Sequence, residues 1–155
     1  MLEQVAEGKI PAVFVSRFFL AAVLAGPLCW VLIGKFKLLP ISYSVTSLSL
    51  QQLLMIGLIY PVIEELTFRG AIQSLLRRMS FGKKRFLVLS SANITTSIVF
   101  TLSHILIQPT LWVMLVFIPS LIFGELRDRH GSTMPSIVLH CFYNTGYFGT
   151  LLFVR

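Results

Sequence analysis

The sequence predicts an all-α protein, a polytopic bundle of about five transmembrane helices with its functional site in the bundle interior. Three observations carry that expectation. Of 155 residues, 55% are hydrophobic and 12% charged, and the mean hydropathy is +0.84, far above what a soluble domain of this size tolerates. The apolar residues fall into runs close to the roughly 20 residues that a spanning helix needs, which leaves no room for a separate soluble domain. Lys and Arg gather between those runs, where they orient a membrane protein, so the net charge of +7 is not read as a nucleic-acid footprint. Residues 1–155 are therefore taken as one membrane domain. Cys29 and Cys141 both lie in apolar runs and imply neither a disulfide nor a cysteine metal site.

Taken in order, residues 1–10 are polar, mixed in charge and too weakly basic for a secretory leader. The run from Pro11 to Ile33 is longer than a signal-peptide core and ends in Gly34-Lys35-Phe36-Lys37, so it is helix one. Leu38 to Ser47, with Pro40, is a loop, and Ser47 or Ser49 caps helix two, from Leu50 to Leu76. Pro61 should kink that helix, because proline removes a backbone donor and frees a carbonyl. Arg77, Arg78, Lys83, Lys84 and Arg85 mark a cytoplasmic loop. Helix three is expected from Phe86 to Ile107. Its first half holds Ser90, Ser91, Asn93, Thr95, Thr96 and Ser97 and cannot face lipid. The Gln108-Pro109-Thr110 turn leads to helix four, Leu111 to Leu126, and Arg127 to Ser132 forms a polar turn. Helix five starts at Met134-Pro135, where proline suits a first turn, and continues to Val154. Lys9, the loop cations, Arg127 and Arg129 outweigh Lys35, Lys37 and Arg155. The N-terminus is therefore expected in the cytoplasm, with the chain a multi-pass protein of a prokaryotic cytoplasmic membrane.

Helix two carries the chemistry. Glu64, Glu65 and Arg69 sit in a run otherwise apolar enough for a bilayer, where each charge costs roughly 2.5–3.5 kcal/mol near the centre. Residues four apart share a helix face, so Glu65 and Arg69 can neutralise each other, whereas Glu64 is rotated by about 100° and points elsewhere. An unpaired carboxylate in such a setting is the raw material of a general base. An ion pair that only fixes packing is the alternative. Two further pairs at spacing four lie in apolar helices: Phe100 with His104, and His140 with Asn144. Convergence of a carboxylate, two imidazoles and an amide supplies a base, proton handling and oxyanion donors.

These residues spell EExxxR (Glu64 to Arg69), FxxxH (Phe100 to His104) and HxxxN (His140 to Asn144). In this the chain resembles the CAAX-protease and bacteriocin-processing (CPBP) intramembrane proteases, which include the prenyl-protein endopeptidases. Phe123-Gly124 and Gly131 to Pro135 also look like the segment before the third motif, so the resemblance covers about Pro61 to Asn144. It implies hydrolysis of a peptide bond within or at the edge of the membrane. Glu64 and His104 would activate water, His140 and Asn144 would stabilise the oxyanion, and Glu65, Arg69 and Phe100 would support them. The substrate would be a membrane-associated protein or peptide: a prenylated C-terminus, a leader peptide or a C-terminal sorting signal. Glu64, His104 and His140 form a donor set that zinc could use, yet neither histidine belongs to an HExxH helix, so a metal-independent glutamic mechanism is preferred. A proton-coupled transporter and a non-catalytic scaffold or immunity protein are the readings outside proteolysis.

Depth adds one more expectation. An uninterrupted helix three would hold His104 about 25 Å from the cytoplasmic face, too deep to meet His140. The sequence thus predicts that helix three starts late, with Ser90 to Ser97 lining a water-filled entry from the cytoplasm.

Overall fold

The structure is a computed structural model that describes Phe14 and residues 16–36, 49–107 and 111–153. The predicted loop 38–47, the turn 108–110 and both chain ends, with Lys9, Lys37 and Arg155, lie outside the described residues. Helix α1 is Arg17–Phe36. Its start is set by Ser16, whose hydroxyl accepts the Phe19 N–H at 3.3 Å and so satisfies a donor that a helix start would otherwise orphan. The helix runs past Ile33, through Gly34 and Lys35.

The chain resumes at Ser49 with a reciprocal capping box. The Gln52 N–H donates to the Ser49 hydroxyl at 3.2 Å and the Ser49 N–H to the Gln52 side chain at 2.9 Å, as the sequence led us to expect for a helix start. An unbroken helical path follows, here called the glutamate helix. It consists of α2 (Leu50–Leu54), a π segment (Met55–Ile59), α3 (Tyr60–Glu65), a second π segment (Leu66–Gln73) and α4 (Ser74–Arg78). Arg77 and Arg78 close it and suit the negative end of the helix dipole.

The first π segment is the distortion that Pro61 foretold. The Tyr60 N–H reaches back to the Met55 carbonyl, and Pro61 has no N–H to give. The Ile56 carbonyl therefore loses both of its possible intrahelical donors, and Gly57 loses its α-helical one. Helix α7 (Met134–Phe153) supplies replacements: the Asn144 amide donates to the Ile56 carbonyl at 3.0 Å and the Thr145 hydroxyl to Gly57 at 3.3 Å.

Helix three begins later than the expected Phe86. A 3-10 turn (Phe81–Lys83) leads into a two-stranded antiparallel hairpin, β1 (Arg85–Phe86) and β2 (Leu89–Ser90), with Leu87 at a φ of 55° in its tip. Helix α5 is Ser91–Ile107. The Ser90 hydroxyl accepts the Asn93 N–H at 3.0 Å and fixes that start as an N-cap.

The late start was expected, but the water-filled entry was not found. Ser90, Asn93, Thr96 and Ser97 are fully buried. Asn93 donates to the Leu121 carbonyl at 3.0 Å, and the Ser97 hydroxyl donates to the Asn93 side-chain oxygen at 3.2 Å. The physical reason is close approach, since a Cβ at Gly124 would collide with the Asn93 side chain. Small and polar residues here let two helices meet rather than admit solvent.

A 3-10 turn (Leu111–Val116) precedes α6 (Phe117–His130). The helix continues four residues beyond the expected Leu126, through most of the stretch read as a turn. It stops at Gly131, which takes φ 65° and donates its N–H to the Arg127 carbonyl at 3.0 Å, the left-handed termination that glycine permits. Helix α7 is Met134–Phe153, starting where proline placed it. Phe19 and Ala22 of α1, Phe123 and Leu126 of α6 and Leu139 of α7 form the apolar core, and the Tyr143 hydroxyl ties α7 to the Ala22 carbonyl at 2.6 Å.

The described chain is all-α apart from the hairpin, as predicted. Its spanning character is a different matter, because among the described residues no helix is long and apolar enough to cross a membrane. Two π segments and three charges divide the glutamate helix, α5 has 17 residues, and α6 has 14 with charges at its end. The distribution of polarity is nonetheless inverted relative to a water-soluble domain. Glu65, Arg69, Gln73, Asn93 and Glu125 are buried, while Leu24, Leu28, Val31, Leu58, Ile63 and Leu102 are exposed.

Candidate active site

The α3 segment ends at Glu65 and the second π segment begins one residue later, so the two glutamates emerge where the helix changes winding. Such π turns are frequent at functional sites. Glu65 and Arg69 are both fully buried and form the expected pair, with Nη1 to Oε1 at 2.8 Å. Arginine has five N–H donors, and one carboxylate cannot satisfy them. Two more go to α6, where Nη2 donates to the Ser120 carbonyl at 3.0 Å and the Ser120 hydroxyl at 2.6 Å, and the buried Nε has no partner. The guanidinium also lies 4.6 Å from the Phe100 ring centre and 5.4 Å from that of Phe123, and aromatic faces attract a desolvated cation.

Glu65 does more than balance Arg69. Its Oε1 also accepts from His140 Nδ1 at 2.9 Å. The proton is assigned to Nδ1 because a carboxylate can only accept. The opposite ring nitrogen, Nε2, lies 3.6 Å from Glu64 Oε2. The imidazole is stacked on Phe123, with ring centres 4.7 Å apart.

His104 is held in the same sense by a different group. Its Nδ1 meets the Phe100 carbonyl at 2.9 Å, which again only accepts, and its Nε2 faces Glu64 Oε1 at 4.0 Å. The Phe100 ring packs on this imidazole at 4.4 Å and edge-on to His140 at 6.0 Å. Glu64 and His104 keep 29% and 30% of their side-chain surface exposed, against 7% for His140 and none for Glu65. Glu64 thus stands between two imidazoles whose Nδ1 atoms are engaged and whose Nε2 atoms face it, at separations too long for direct hydrogen bonds.

The structure therefore brings Glu64, His104 and His140 together, with Glu65, Arg69 and Phe100 behind them. Asn144 stands apart from that trio, its amide nitrogen on the Ile56 carbonyl. Among the described residues, no group of three or more His, Cys, Asp or Glu side chains is arranged to hold a metal ion. Sequence reasoning missed Ser120 and the Glu65–His140 contact. The surplus donors of a buried arginine were the available signal for Ser120, a hydroxyl in the next apolar run. No local pattern could have shown the second.

A family model, type II CAAX prenyl endopeptidase Rce1-like, matches residues 46–146, a stretch that contains Glu64, Glu65, Arg69, Phe100, His104, His140 and Asn144. No curated protein and no solved structure matches the chain.

Proposed function

This chain belongs to the type II CAAX prenyl endopeptidase Rce1-like family, and on that premise we propose that it is a membrane-embedded endopeptidase in which Glu64 activates the attacking water. The observation that carries the reading is the fixed orientation of two imidazoles, each with Nδ1 engaged and Nε2 turned to Glu64. A water that bridges Glu64 and His104 can give a proton to the carboxylate and attack the scissile carbonyl. The developing oxyanion is met by His140 once its Nε2 carries a proton as well as its Nδ1, since only an N–H can donate, and the amide proton of Asn144 that Ile56 does not use is the second donor that the family resemblance implies. Collapse of the tetrahedral intermediate returns the proton from Glu64 to the leaving amine, so the products are a new carboxyl end and a new amino end.

The metal-independent version of this mechanism is the one we favour, with Glu64 as the base, because neither histidine belongs to an HExxH helix. The bilayer reading is supported by the exposed leucine and isoleucine surface around a buried polar interior, which water would penalise and lipid would not. The family acts on membrane-associated or prenylated substrates in general. A prenylated C-terminus, a leader peptide and a C-terminal sorting signal all present an extended chain at the membrane. The deciding experiment is co-expression of a membrane-anchored substrate with wild type and with Glu64→Ala. Cleavage by the wild type alone supports the proposal. Cleavage by both, at equal rates, removes Glu64 from the chemistry.

A further inference from the structure

A second polar site lies at the opposite end of the glutamate helix, about nine residues and hence roughly 13 Å along the axis from Glu64. Here α4 faces the end of α6 across a cavity of about 290 Å³ lined by Gln73, Ser74, Arg77, Arg78, Arg127 and Asp128. The charges do not cancel. Asp128 is engaged by Arg77 at 3.4 Å, by Gln73 at 3.0 Å and by the Ser90 hydroxyl. Arg127 gives Nη2 only to the neutral Ser74 hydroxyl at 2.9 Å, and among the described residues no ion pair includes Arg78 or Arg127. Two buried polar atoms at this cavity have no partner: the Nε of Arg127, a donor, and the Oε1 of Gln73, an acceptor. Gln73 is itself fully buried. Its orientation is fixed, because its nitrogen already donates to the Gly124 carbonyl at 2.9 Å as well as to Asp128.

A ligand that completes this site must be anionic toward the arginines and must also carry a hydrogen-bond donor for Gln73. A bare carboxylate meets only the first need, whereas a hydrogen phosphate meets both through its own O–H. A phosphodiester bearing a hydroxylated head group meets both. The same end of the molecule carries the hairpin, whose tip exposes Phe86, Leu87 and Val88, an apolar tip that suits the boundary between lipid tails and head groups. We propose that this cavity binds the head group of an anionic, hydroxyl-bearing phospholipid, with the phosphate on Arg78 and Arg127 and a head-group hydroxyl donating to Gln73. The inference rests on the bilayer reading and is independent of proteolysis.

The test uses the full chain purified in neutral detergent and reads its melting temperature during titration with short-chain phosphatidylglycerol, short-chain phosphatidylcholine or inorganic phosphate. Phosphatidylglycerol should raise the melting temperature saturably, and phosphatidylcholine should not. Arg78→Gln, which disturbs no ion pair among the described residues, should weaken the phosphatidylglycerol response about tenfold, as should Arg127→Gln. Lys83→Gln with Lys84→Gln removes two charges from the same end outside the cavity and should leave the response nearly unchanged. The proposal is overturned if the lysine variant loses as much as Arg78→Gln, if phosphatidylcholine works equally well, or if no lipid shifts the transition. An equal response to inorganic phosphate overturns the lipid assignment and leaves a phosphate site. Because the readout is binding, an inactive but lipid-responsive protein would count against the protease reading alone.

Discussion

Glu64 and Glu65 are neighbours in the chain and opposites in environment. Glu65 has no exposed surface and shares one oxygen between Arg69 at 2.8 Å and His140 at 2.9 Å. Glu64 retains 29% of its side-chain surface and reaches its imidazoles only at 3.6 and 4.0 Å. One carboxylate has an oxygen tied to two partners, and the other, on the proposed reading, is left with capacity to react. The comparison teaches that an apolar helix can hold one carboxylate open to solvent if the adjacent one organises the charges behind it. The rotation of about 100° between successive helical residues separates the two tasks.

The largest expected effect falls on the open side. Glu64→Gln keeps size and hydrogen bonding but removes the base, so cleavage of a membrane-anchored substrate should drop by about 10²–10⁴-fold while the melting curve stays close to wild type. An active Glu64→Gln protein would end the contrast. On the committed side, Glu65→Gln should instead destabilise the fold by about 3–5 kcal/mol, because it leaves Arg69 buried without its counter-charge. Thermal or denaturant unfolding in detergent measures this, and a variant as stable as wild type would show that Arg69 does not depend on Glu65. Ser120→Ala probes the same guanidinium more gently, since the Ser120 carbonyl remains. A loss of roughly 1.5–3 kcal/mol is expected for one hydrogen bond to a charged group, with turnover per folded molecule little changed. The smallest expected effect is none. Protein purified without added metal and assayed with a strong chelator should keep its activity, whereas loss restored by stoichiometric zinc would recast Glu64, His104 and His140 as ligands.

The helical class, the starts at Ser49 and Met134 and the distortion before Pro61 were all legible in the sequence, because caps and proline act over a few residues. The Glu65–Arg69 pair was legible for the same reason, as a spacing of four on one helix. Family membership could be read from three short motifs, and the match over residues 46–146 agrees with it. Only the tertiary structure decided that His140 uses Nδ1 for Glu65 and turns Nε2 to Glu64, that Ser120 takes up Nη2 of Arg69, and that Asn144 meets a carbonyl left free by Pro61. It also closed the polar half of α5 against α6, where the sequence had suggested a wet passage. Each of these is a contact between helices far apart in the chain. Local propensity sets which face a side chain occupies, but the packing of a second helix decides whether that face meets solvent, an aromatic ring or a partner for its last unpaired donor.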